Sequence, residues 1–310
     1  SLIIRTPIEF EKNEFDFQAE FKRIPINFVS FGNSSIQTDV KGFNGSIKGR
    51  LYNNMLSVNL DYNNQSDNIF GDSPEEKLKS TTTKSITTSA GLGVTVPEFP
   101  SLTYSARIMN REGVTVIDGS KSISNTTISH TIGPSYRFDT DTDINVSLGG
   151  NIMLMNYNDN LFNAGDTSSI ASNVNSNFTT SSYTGSLGLK FDSPLSFNMG
   201  GGISINNPDD KLMKSTKFLV FSSKLAYKFW DKTLNTFIGI NIVKGNKDAD
   251  QNNEGNIDNL KMTVKGGAQY KLSKNISVGL NVDMISLKDN VTTSNTFSQL
   301  KGRLKIKIGL

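Results

Sequence analysis

The sequence predicts an all-β chain, a transmembrane antiparallel up-and-down β-barrel of about 14 strands with about 16 as the alternative. Three observations carry this. Apolar and polar residues alternate with a period of two through most of the chain, the signature of strands with one apolar and one polar face. Short turn-type connections alternate strictly with long polar ones. No helical periodicity, Pro-rich linker or composition shift supplies a second layer to cover the apolar faces, so lipid around a closed barrel is the apolar phase they require.

Composition narrows the alternatives. The chain has 310 residues, 35% hydrophobic and 20% charged, with 26 Gly, 8 Pro and one Trp. Mean hydropathy is −0.33, and no apolar run approaches the roughly 18 residues that a helical span needs. A barrel tolerates such polarity because half of each strand faces water. There is no Cys, which removes disulfides, thiolate catalysis and thiolate metal sites. A single histidine, His130, argues against His-based metal sites and His-dependent triads. The chain starts at Ser1 with no signal peptide in view, which reads as a processed chain or a piece of a longer one.

Two segments are expected, 1–25 and 26–310. In the first, Ile4, Ile8 and Phe10 alternate with Arg5, Glu9 and Glu11, and Phe15, Phe17, Ala19 and Phe21 alternate with Asp16, Gln18 and Glu20. This segment supplies an extra hairpin, or a plug that carries its acids into the barrel, or a connection to an absent domain. From Ile26 onward the alternation continues through hairpins closed by short turns. These fall at Asn53-Asn54, Pro97 to Pro100, Thr140 to Asp143, Asp192 to Pro194, Asp231 to Thr233 and Ser273 to Asn275. Long polar stretches separate the hairpins: Asn64 to Lys79, Glu112 to Ser124, Asn158 to Ser182, Asn207 to Lys214, Gly245 to Ile257 and Lys288 to Thr293. The alternation is cleanest at the end, in Asn275 to Met284 and Gln299 to Ile308.

Aromatic residues fall in two bands. Tyr52, Phe99, Tyr104, Tyr136, Phe138, Phe191, Phe197, Tyr227, Phe229, Trp230 and Tyr270 lie near the short turns. Tyr62, Tyr157, Phe178, Tyr183 and Phe218 lie near the long connections. Between the bands the expected lipid-facing positions are aliphatic or small, among them Ile86, Ala90, Leu92, Val146, Leu148, Leu187, Ile238, Ile240, Met262, Val264, Val278 and Leu280. Aromatic girdles flanking an aliphatic band are expected of a barrel wall at two membrane interfaces.

On these residues the chain resembles a bacterial outer-membrane β-barrel of the porin type. The resemblance covers residues 26–310 and identifies no narrower family. In that class the last strand carries alternating apolar residues and usually a terminal aromatic; here Gly302, Leu304, Ile306, Ile308 and Leu310 alternate, but the final residue is Leu. The resemblance implies short periplasmic turns, long extracellular loops, the outer membrane as location, and a lipid bilayer, small hydrophilic solutes and further copies of the chain as partners.

Parity assigns the pore lining. If the apolar set faces lipid, the lumen receives Lys48, Arg50, Arg107, Arg111, Arg137, Lys190, Lys224, Lys228, Lys261, Lys265, Lys271, Lys301, Arg303, Lys305 and Lys307. Few acids join them, chiefly Asp61 and Asp283, with Ser, Thr, Asn and Gly filling the remainder. Such a wall enclosed by low-dielectric lipid focuses a positive potential and favours anions. The competing reading is that acidic loops or a plug compensate the lysines.

Other motifs are weaker. Asp248, Asp250, Asn252 and Glu254 place oxygens at alternate positions of a loop, as a hard cation such as Ca²⁺ requires. Asn253 stands where an EF-hand-type loop has Gly, and no Glu follows at its last position. The Gly-rich runs Gly91-Leu92-Gly93 and Gly200 to Gly202 have no helix after them and read as strand bends. His130 falls on the expected lipid face with no base and orienter pair nearby, so no enzymatic activity is expected. Nucleic-acid binding is not expected either, because the basic residues point inward without interleaved aromatics. The expectation is a channel for passive diffusion of small hydrophilic, preferentially anionic solutes. The alternative is a structural barrel with a filled lumen that anchors an absent domain or partner protein.

Overall fold

The computed structural model describes residues 2–10, 13–25, 39–67, 81–115, 121–140, 144–160, 177–210, 213–230, 233–249, 255–273 and 275–308. Among them are fifteen strands: β1 (Leu2–Phe10), β2 (Asn13–Ile24), β3 (Val40–Leu51), β4 (Leu56–Asp67), β5 (Thr81–Val94), β6 (Ser101–Thr115), β7 (Lys121–Asp139), β8 (Ile144–Asp159), β9 (Phe178–Phe191), β10 (Leu195–Pro208), β11 (Thr216–Phe229), β12 (Leu234–Lys247), β13 (Ile257–Lys271), β14 (Ile276–Asp289) and β15 (Phe297–Ile308). Their hydrogen-bonded order is the chain order. The chain is therefore an all-β, up-and-down antiparallel sheet. Residues 26–38, the start of the expected 26–310 barrel segment, lie outside the described residues. β1 pairs antiparallel with β2, and β2 continues the sheet by pairing with β3.

Two compact units divide the chain: Ser1–Pro97, Ser101–Ile132 and Met153–Thr179 in one, Glu98–Pro100, Gly133–Ile152 and Thr180–Leu310 in the other. In the first unit, register aligns Leu60 with Ile47 and Ala90, and Tyr62 with Gly45 and Thr88, on one face. Asp16, Lys48, Asn59, Gly91 and Ser105 align on the other. In the second unit, Leu225, Ile238, Gly266, Val282 and Gly302 form one row of the apolar face. Lys224, Gly239, Lys265, Asp283 and Lys301 form a row of the polar face. A period of two fixes which residues of a strand share a face, and pairing then joins the faces across strands.

Among the described residues the apolar face has no covering layer. Among the described residues Val40 is the only buried hydrophobic side chain, whereas Leu304 is 69% exposed, Ile238 57% and Leu280 51%. A water-soluble sheet of this size buries such residues against a second layer. None of the described helical segments is long and apolar enough to cross a membrane.

Tight turns join the hairpins at one end of the strands. Between β3 and β4, Tyr52, Asn53 and Asn54 take φ of 52°, 56° and 67°, and Met55 N–H donates to the Tyr52 carbonyl at 3.2 Å. Asn tolerates this left-handed region better than most residues, which suits it to the turn. Between β11 and β12, Trp230 has φ 49° and accepts the Thr233 N–H at 2.9 Å. This aims the indole at the neighbouring rings: Phe229 at 6.4 Å and Tyr270, edge-on, at 6.3 Å.

The band near the long connections differs from expectation. Tyr62 sits on the apolar face, where it meets Phe43 at 6.3 Å. Phe218 aligns with Ser204, and its ring covers Gly245, so it belongs to the face that carries Lys224. Tyr157 stacks on Phe178 at 4.9 Å, and Asn125 bonds its hydroxyl, which lies within the field of Arg111. Both rings therefore belong to the polar face. The physical reason is local: near the strand ends both faces carry aromatics, so position along the strand does not determine side.

Candidate functional site

The polar face gathers the basic residues, and it does so unequally in the two units. In the first unit Lys48 and Arg50 lie on β3, and Arg107 and Arg111 lie on β6 opposite Ser89 and Ser85. The acids of the N-terminal hairpin share that face, because Glu14 is opposite Arg50, Asp16 opposite Lys48 and Glu20 opposite Asn44. Arg50 Nη1 reaches Glu14 Oε2 at 3.2 Å, Arg5 Nε reaches Asp16 Oδ1 at 3.0 Å, and Asn44 Nδ2 donates to Glu20 at 3.3 Å. Asp61 accepts from Asn59 at 3.2 Å and from Ser89 at 3.4 Å. The inward acids are thus more numerous than Asp61 and Asp283 alone, and in this unit they screen the cations.

The second unit is different. Lys224 and Lys228 lie on β11, Lys261, Lys265 and Lys271 on β13, and Lys301, Arg303, Lys305 and Lys307 on β15, all in register on one face. Arg137 follows the alternation of β7. Lys190 shares the side of Gly188, which lies against Ser147 and Asn198. On β11–β15 the acids of this face are Asp283 and Asp289. Arg303 Nη2 is 3.4 Å from Asp283, whose side chain is 17% exposed. Asp289 is committed to its own turn, accepting the N–H groups of Val291 and Thr292 at 2.9 Å each. Lys265 and Lys301 stand on either side of Asp283 in one row, so on this face of β11–β15 the described cations outnumber the acids.

One place on this face is recessed. Gly239 separates Lys224 on β11 from Lys265 on β13 in a single cross-strand row. Phe237 is the next inward residue on the same strand, and its ring lies against Gly267, where a Cβ would clash. Lys224 Nζ stands 4.7 Å from the centre of that ring, a cation–π arrangement. A cavity of about 460 Å³ opens here, lined by both lysines, Phe237 and Gly239 together with Asn241, Val243, Thr263 and Lys261. Neither Phe237 nor Gly239 was singled out from sequence. The available signal was parity: outward Ile238 and Ile240 make both neighbours inward.

The candidate cation loop falls largely outside the described residues. Asp248 follows the end of β12, while Asp250, Asn252 and Glu254 lie outside the described residues. Among the described residues no group of His, Cys, Asp or Glu could hold a metal ion. His130 Nδ1 lies 2.8 Å from the Tyr104 hydroxyl with the rings stacked at 6.1 Å, which places it on the Tyr104 side of β7.

No family model matches the sequence, and no curated protein matches it. Among solved structures the chain is similar to the copper transporter OprC, at 11% identity and TM-score 0.51, over 95% of this chain and 60% of that one. It is also similar to the open form of the ferric-catecholate import receptor Fiu from E. coli K12, at 11% identity and TM-score 0.53, over 99% of this chain and 63% of that one. The chain thus spans less than two thirds of the length of either. The fold is that of the bacterial outer-membrane β-barrel proteins.

Proposed function

We propose that this chain forms the wall of an outer-membrane barrel through which small hydrophilic solutes, preferentially anions, pass by diffusion. The apolar face meets lipid, the polar face meets the aqueous lumen, and the tight turns lie on the periplasmic side with the longer connections outside. The observation that carries the reading is the cationic face of β11–β15, where Lys224, Lys228, Lys261, Lys265, Lys271, Lys301, Lys305 and Lys307 face a single strand-borne row of acid at Asp283 and a turn-bound Asp289. Fixed charges of one sign beside low-dielectric lipid raise the local concentration of counter-ions and bias permeation toward them. The acids of β2 confine this bias to part of the wall, so selectivity is graded rather than absolute.

The test is single-channel recording of detergent-purified protein in a planar bilayer under a KCl gradient. Stable conductance steps with a reversal potential of anionic sign are expected. Protein that inserts but stays silent would overturn the open channel in favour of a filled barrel that anchors a partner.

A further inference from the structure

We infer that the recess over Gly239 is a binding bay for an organic anion: an oxyanion head held between Lys224 and Lys265, with an apolar body laid on Phe237. This rests on the lumenal reading above for access to the bay, while the bay itself follows from local register. Lys224 and Lys265 flank Gly239 in one row, so their strands stand roughly 10 Å apart at two interstrand spacings. Nothing projects between them, because the intervening residue has no side chain. Two lysine stems can close on a carboxylate or phosphate placed there, each through a charge-assisted hydrogen bond. Inorganic anions alone would leave the recess largely empty: at about 460 Å³ it has room for a larger body, of the size that small-molecule sites hold.

The floor specifies the rest. Phe237 is the one aromatic among the residues that line the cavity, the rest being lysines, small polar residues, Gly239, Ile240 and Val243, and Gly267 gives its ring room to lie down. Lys224 covers that ring at 4.7 Å, a resting position that an entering anion would draw on. Asn241 and Thr263, paired in the row above, offer polar groups at the rim. A carboxylate carried on an aryl group satisfies both halves of the bay, whereas a short carboxylate satisfies only the lysines.

Calorimetric titration of the detergent-folded protein with sodium benzoate and with sodium acetate at low ionic strength tests the assignment without any need for conduction. Saturable benzoate uptake is expected, tighter than acetate. Lys224→Met and Lys265→Met should each weaken benzoate by about tenfold. Phe237→Ala should erase the preference for benzoate over acetate. Gly239→Val, which fills the recess while leaving every charge in place, should abolish uptake. Lys244→Met removes the same charge from the opposite face of β12 and should leave uptake unchanged. Absence of saturable uptake, or equal weakening by Lys244→Met, would overturn the bay. Anion-selective conductance without benzoate uptake would overturn the bay alone, and uptake by a silent barrel would overturn the channel alone.

Discussion

Glu14 and Arg50 face each other across β2 and β3 with 3.2 Å between carboxylate and guanidinium. The pair brings the acidic N-terminal hairpin into the same face as the basic strand that follows it, so charge that looks segregated along the chain is neutralised across it. Selectivity is then expected to depend on β11–β15 more than on β1–β6.

Replacing Glu14, Asp16 and Glu20 together by Gln, Asn and Gln should therefore raise anion preference, read as a larger zero-current potential in a salt gradient. Stability should change little, because exposed pairs such as Arg50–Glu14 contribute about 0–1 kcal/mol each. An unchanged potential would mean that the hairpin acids do not face the permeation path.

Charge changes in the second unit should act with opposite signs. Lys261→Gln, Lys265→Gln and Lys301→Gln combined should reduce anion preference. Asp283→Asn should increase it, since Asp283 lies between Lys265 and Lys301 in one row and accepts from Arg303 at 3.4 Å. If both variants shift the reversal potential in the same direction, the field argument fails.

Depth along the apolar face should set the cost of a buried charge. Ile238 lies within β12, whereas Ile276 opens β14 beside a tight turn. Arg at Ile238 should destabilise the protein in lipid vesicles by about 2–4 kcal/mol, and Arg at Ile276 by about 0–1 kcal/mol. Equal losses in reversible unfolding would argue that this face does not meet a bilayer.

Trp230 offers a spectroscopic check because it is the only tryptophan in the chain. It is 69% exposed and packs edge-on against Tyr270 beside Tyr227 and Phe229, an arrangement suited to the headgroup region. Its emission should shift to the blue on insertion and be quenched more by shallow-labelled lipids than by labels near the bilayer centre. Stronger quenching from the centre would remove the girdle.

Much of the second unit was legible in the chain because alternation is local. Lys261 and Lys265, or Lys301, Arg303, Lys305 and Lys307, share a side by counting alone. The same counting separates Ile238 and Ile240 from Gly239. Counting also puts Phe218 with Lys224 and Phe178 with Lys190, although an aromatic near a strand end does not by itself mark the lipid face. It could not say whether the first strands entered the sheet, plugged it or led elsewhere, because an alternating segment pairs equally well in any of those settings.

The sequence by itself determined the fold class, the two faces of each strand and the basic character of one of them, since a two-residue repeat needs no knowledge of neighbours. Only the tertiary structure decided which residues stand opposite one another: Glu14 against Arg50, and Lys224 and Lys265 on either side of Gly239. Register between strands is set by turn geometry and by the matching of side-chain faces across neighbouring strands. A recess formed by three strands therefore has no signature within any one of them.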